Sequence, residues 1–123
     1  RPEMKSVLVV EDNPLNRDLM VQLLEDRYCV ITRGDGETGL RAMFELEPDV
    51  ALLDLSLPDI DGLELARRVR QDDRVKDTPL IAVTAHAMPG DREAALAAGC
   101  SAYIPKPIDE DELFEILDNL VGI

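Results

Sequence analysis

DVALLDLSLPDIDG, residues 49–62, is the stretch on which the reading of the fold turns. Val50, Ala51, Leu52 and Leu53 form an apolar run without polar alternation, flanked on both sides by polar and turn-forming residues. A short continuous run of this kind predicts a strand covered on both faces, as in a parallel sheet. The run ends at Asp54. A carboxylate there would be costly to bury without a partner, so its position points to chemistry.

Four more runs of this type lie outward from it: Ser6–Val10, Cys29–Arg33, Leu80–Thr84 and Ala102–Ile104. Stretches of helical period separate them. In the first, Asn13 suits a cap and Pro14 the first helical position, where its missing N–H costs nothing. Leu15, Leu19, Met20, Leu23 and Leu24 then read as one apolar stripe. The last helix opens with Asp109 as cap and Glu112 three residues on, and continues with Leu113, Ile116, Leu117, Leu120 and Val121 on one face. Weaker helical stretches span Glu37 to Glu47, Gly62 to Arg74 and Gly90 to Ala98, the last ending at Gly99, which suits a left-handed cap. Five strands alternating with five helices predict an α/β fold: a doubly wound, five-stranded parallel sheet with right-handed crossovers.

Composition sets the outer limits. The 123 residues fit one domain, expected over residues 4–123, that buries roughly two-thirds of its unfolded surface. Residues 1–3 read as a linker or expression remnant, because Met4 followed by Lys5, Ser6 and an apolar run resembles a natural start. A formal charge of -13 opposes binding to nucleic acid and to anionic membranes. The longest apolar runs, Val7 to Val10 and Val50 to Leu53, are too short to span a bilayer, and no signal peptide precedes them. A cytoplasmic location is therefore expected. Cys29 and Cys100 are too few for a disulfide framework or zinc site and read as small apolar residues.

Ligands of doubly wound sheets bind beyond the carboxyl ends of the strands. At those ends stand Glu11 and Asp12, Asp54, Thr84 and Lys106. Three carboxylates on one rim repel each other unless a cation joins them. Magnesium fits: it is hard, takes oxygen ligands, and accepts one or two carboxylates together with phosphate oxygens. Formal charges of about -3 from the carboxylates, +2 from the metal and +1 from Lys106 cancel, leaving a pocket able to receive a phosphoryl group. Asp54 is the best-placed nucleophile toward phosphorus.

From Lys5 to Val121 the chain resembles response-regulator receiver domains, the CheY-like superfamily of two-component signalling. The matching pieces are VLVVEDNPLN at 7–16, DVALLDLSLPDIDG at 49–62, PLIAVTAHA at 79–87 and GCSAYIPKPI at 99–108. The resemblance implies a flavodoxin-like sheet of strand order 2-1-3-4-5 and a switch that is not an enzyme beyond its own phosphorylation and dephosphorylation. It implies that Asp54 is the phosphoacceptor, that Asp12 ligates magnesium directly, that Glu11 acts mainly through metal-bound water, and that the Ser56 backbone carbonyl completes the coordination. Thr84 would bond a phosphoryl oxygen and Lys106 would pair with phosphate. Pro107 would follow through a cis bond, and Tyr103 would be the switch aromatic that turns inward as Thr84 moves. Ser56 and His86, each two residues beyond a site residue, should overlook the pocket mouth and tune phosphoryl lifetime.

The implied partners are a sensor histidine kinase or a histidine phosphotransfer protein, docked on the face around the first helix, and a downstream protein target. The last helix carries Asp109, Glu110, Asp111, Glu112, Glu115 and Asp118 with no lysine or arginine, which disfavours a self-complementary ion-pair network and predicts a monomer or weak dimer. Three rival readings stand beside this one. A pseudo-receiver would keep the fold without phosphorylation. A haloacid-dehalogenase-type phosphatase would need a second Asp where Ser56 stands, and a flavodoxin-like mononucleotide binder is opposed by Glu11 and Asp12 in the first loop.

Overall fold

The computed structural model describes residues 4–85 and 88–122. The apolar runs become β1 (Ser6–Val10), β2 (Cys29–Arg33), β3 (Val50–Asp54), β4 (Leu80–Thr84) and β5 (Ala102–Pro105). Between and after them lie α1 (Pro14–Leu24), α2 (Gly36–Leu46), α3 (Gly62–Arg70), α4 (Asp91–Ala97) and α5 (Glu110–Val121). All four strand pairings are parallel, as the apolar pattern predicts, and the sheet order is β2-β1-β3-β4-β5, as the resemblance implies. Residue identity explains the central position of β3 and β4: every residue in both is buried, which continuous apolar runs permit and alternating ones do not.

Strand residues alternate between two cores because successive side chains point to opposite faces. Leu8, Val10, Ala51, Leu53, Leu80 and Ala82 face α2, α3 and α4. Val7, Val9, Val50, Leu52, Ile81 and Val83 face Met20 and Leu24 of α1 and Leu113 and Leu117 of α5. Asn13 and Asp109 accept hydrogen bonds from the first-turn amides of α1 and α5, and Gly99, at φ 108, takes the left-handed conformation after α4.

Three local expectations change. The five apolar residues of α1 are not one stripe: Met20 and Leu24 are buried, whereas Leu15 and Leu19 are 72% and 60% exposed. Residues 15 and 19 stack one turn apart, as do 20 and 24, and the two ridges are one residue out of step, so only one of them meets the sheet. Helix α3 stops at Arg70 rather than Arg74, because the Asp72 carboxylate takes the Arg74 backbone N–H and guanidinium and draws the chain into turns. Cys29 lies exposed at the start of the edge strand β2, not in the core. Cys100 is buried, and burial pushes its thiol up to about 11.

At the amino ends of the strands, Arg70 ties the turns together. Its guanidinium donates to the carbonyls of Gly99, Lys76 and Thr78 at 2.6 to 2.8 Å and to the Ser101 hydroxyl at 3.4 Å. At the opposite ends, Gly62 lets α3 start hard against β3: a Cβ there would stand 2.7 Å from the Asp54 carbonyl oxygen. Among the described residues no helix is long and apolar enough to cross a membrane.

Candidate functional site

Four strand ends converge on one rim. β1 delivers Glu11 and Asp12, β3 ends on Asp54, β4 ends on Thr84, and Lys106 follows β5. Glu11, Asp54 and Thr84 are each about 5% exposed or less. Buried polar groups on strands that are otherwise wholly apolar are costly unless partnered. Glu11, Asp12 and Asp54 each bring one carboxylate oxygen within 4.8 Å of the others.

Lys106 is the partner that makes this clustering tolerable. Its Nζ donates to Glu11 Oε1 at 2.7 Å and to Asp54 Oδ2 at 3.1 Å. The other oxygen of each carboxylate accepts a backbone N–H: Asn13 to Glu11 Oε2 at 3.1 Å, and Ser56 to Asp54 Oδ1 at 2.8 Å. Burial raises the Glu11 carboxyl above its ordinary range and outweighs the lowering by Lys106 and the Asn13 amide, while Asp54 adds to the rise. Desolvation alone would lower the Lys106 ammonium, but its bonds to Glu11 and Asp54 leave it raised. One cation thus serves two buried carboxylates. Asp12 is exposed, and its carboxylate accepts no hydrogen bond among the described residues.

A hard divalent cation fits this donor set. The converging atoms are all carboxylate oxygens, one of the three groups is open to solvent, and a single ammonium faces three acids.

The Lys106–Pro107 bond is cis. Ser56 is exposed beyond Asp54, and His86 lies outside the described residues. The Tyr103 ring packs inward against the core under α2, α3 and α4, and its buried hydroxyl has no partner among the described residues. Burial raises that phenol, and Asp91 and Glu93 of α4 add to the rise. Beside the pocket an open groove of about 560 Å³ runs along α1, lined by Leu19, Met20, Leu23, Pro107 and Ile108.

Two residues that sequence reasoning passed over also shape the rim. Arg17, on the first turns of α1, donates to the backbone carbonyls of Glu11 and Asp12 at 2.8 and 3.2 Å. Asp59, in the loop after β3, accepts from the Gly36 and Glu37 amides at 2.7 and 2.9 Å and so caps α2 from a distant segment. A cation one turn beyond an acidic loop was a signal for the first. Nothing local announces the second.

This is a doubly wound α/β protein with an acid-lined, lysine-bridged pocket at the carboxyl edge of its sheet. Residues 7–118 match the response regulator receiver domain family, and the chain belongs to that family of two-component signalling proteins. It is 41% identical over 119 residues to the polar-differentiation response regulator DivK of Brucella anthropi, covering 96% of this chain and 97% of that one. Its fold is similar to the receiver domain of the sensor histidine kinase PA1611 from Pseudomonas aeruginosa, at TM-score 0.89 and 36% identity over 98% and 99% of the two chains. In that structure a magnesium ion is coordinated in the active site cleft. The chemotaxis protein CheY4 of Vibrio cholerae is also similar, at TM-score 0.88 and 28% identity over 95% and 98%.

Proposed function

We propose that this chain is a phosphorylation-driven switch of a phosphorelay, in which Asp54 takes a phosphoryl group from a phosphohistidine donor. The observation that carries this reading is the gathering of Glu11, Asp12 and Asp54, with carboxylate oxygens within 4.8 Å of one another, and the bonding of Lys106 to two of them, Glu11 and Asp54. A structural carboxylate would need one partner; this arrangement has three acids and one base, and is short of positive charge.

In the transfer, an Asp54 carboxylate oxygen attacks phosphorus, the phosphorus–nitrogen bond of the donor breaks, and its electron pair returns to the imidazole. The Ser56 amide holds Asp54 Oδ1 and Lys106 holds Oδ2, so the carboxylate is fixed in orientation for the attack. Lys106 then neutralises charge on the transferred group. Magnesium held by Asp12, Asp54 and the Ser56 carbonyl, with Glu11 through water, would supply further charge neutralisation at the phosphoryl oxygens.

Signal output follows from differential contacts. A phosphoryl group on Asp54 gives the buried Thr84 hydroxyl a charged acceptor, and Thr84 and Tyr103 couple that contact to a population shift of the β4–α4 region. The groove along α1, with the exposed Leu19 in its lining, suits the donor's docking face on a sensor kinase or phosphotransfer protein. The test is labelling with acetyl phosphate, with magnesium or with EDTA, of the wild type and Asp54→Asn. Label is expected only on the wild type with magnesium. Equal labelling of Asp54→Asn, or none under any condition, would count against the switch; rapid turnover of many phosphate esters would favour a phosphatase instead.

A further inference from the structure

Of the two magnesium-facing acids of the first loop, Glu11 is restrained through its side chain and Asp12 is not. Glu11 has Lys106 on one oxygen and the Asn13 amide on the other. The Asp12 side chain is exposed and accepts no hydrogen bond among the described residues, so its direction is set by its backbone alone. That backbone is held by Arg17. A single guanidinium nitrogen, Nη1, donates to both the Glu11 and the Asp12 carbonyl oxygens, and so ties two consecutive peptide units to α1 while their carboxylates gather with Asp54. Arg17 is itself anchored in the helix, where its backbone N–H donates to the Asn13 carbonyl at 3.0 Å.

A gap left in the neighbouring strand accommodates the guanidinium. Gly34, the residue after β2, faces it: a Cβ at Gly34 would stand 2.9 Å from Arg17 Nη1, closer than atoms tolerate. A side chain at residue 34 would therefore require the guanidinium to shift from its present place.

We propose that Arg17 is a positioning residue for divalent-cation binding, acting through the Glu11 and Asp12 carbonyls to aim the otherwise unrestrained Asp12 carboxylate; this rests on reading the pocket as a magnesium site. The direction of the effect separates this role from simple electrostatics. A cation near an acidic pocket repels magnesium, so on charge alone its removal should tighten binding. Positioning requires the reverse, since a free loop must be ordered before it can ligate.

The experiment is calorimetric titration of magnesium chloride into the unphosphorylated wild type, Arg17→Met, Arg17→Lys and Gly34→Ala, with thermal melting of each in EDTA. Arg17→Met is expected to weaken magnesium binding about tenfold, the usual order for a lost supporting contact around a metal. Arg17→Lys, which reaches one carbonyl rather than two, should recover part of the loss. Gly34→Ala keeps the charge but displaces the guanidinium, and should weaken binding to a smaller degree with little change in melting. Binding by Arg17→Met that is unchanged or tighter overturns the proposal. If Arg17→Met fails to fold, unchanged binding by Gly34→Ala and Arg17→Lys overturns it, and weakened binding by them supports it. A wild type that does not bind magnesium sinks the reading of the pocket itself, a failure visible before any variant is compared.

Discussion

Lys106 and Arg70 are both half-buried cations that join segments far apart in sequence, yet they stand at opposite ends of the sheet and meet opposite kinds of acceptor. Arg70, at the amino ends, donates to three backbone carbonyls and a hydroxyl, all neutral and all fixed by turns. Lys106, at the carboxyl ends, donates to two ionisable side chains, with a third carboxylate nearby. Neutral acceptors take four of the five N–H groups of Arg70 and present no charge for a ligand to cancel. Three carboxylates against one ammonium leave a formal charge of about -2 on the other rim, which a divalent cation would cancel. The same sheet therefore has one end whose polar groups complete the structure and one end whose polar groups await a partner.

Replacing each cation in turn tests that contrast. Lys106→Met leaves Glu11 and Asp54 buried without their shared partner, and is expected to cost about 3 kcal/mol of unfolding free energy in EDTA. Saturating magnesium should restore most of it. Arg70→Met strands partly buried carbonyls and is expected to cost about 2 kcal/mol, with no recovery on adding magnesium. Urea denaturation of both variants, with and without the ion, checks the two values together. Equal responses to magnesium would erase the distinction between the two rims.

A smaller effect sharpens it. Asp59 lies in a loop at the carboxyl rim but accepts only backbone amides, those of Gly36 and Glu37, which hold its carboxyl below the usual carboxylate range. A lowered folded value means that its stabilising effect is present above the unfolded value near ~3.9 and is lost as pH falls through the folded one. Asp59→Ala should therefore have a lower urea midpoint than the wild type at neutral pH, with the gap closing below about pH 4. The gap should not respond to magnesium. A gap that persists at low pH would mean that the carboxylate's charge is not what caps α2.

The same division governs what was legible in the sequence. Strand positions could be read because Val50 to Leu53 and Leu80 to Val83 are apolar without interruption, and uninterrupted burial requires strands covered on both sides. The acids and the lysine of the pocket could be read because strand order places all strand ends on one rim. Arg70 could not, since its acceptors are carbonyls, which every residue carries, in turns up to 29 residues away. Nor could the cap by Asp59, whose partners lie 22 and 23 residues earlier. The split of α1 into buried and exposed ridges escaped for another reason. Periodicity places leucines on neighbouring faces without saying which face meets the sheet, and here one of the exposed pair, Leu19, lines the groove beside the pocket.

The site of phosphoryl attachment is the most direct point of contact between this reading and experiment. Borohydride reduces an aspartyl phosphate to homoserine, so reduction after acetyl phosphate treatment in magnesium, followed by peptide mass spectrometry, reports which side chain was modified. A homoserine at position 54, absent in EDTA, is the expected result. Modification at another residue, or at position 54 irrespective of the divalent cation, would contradict it.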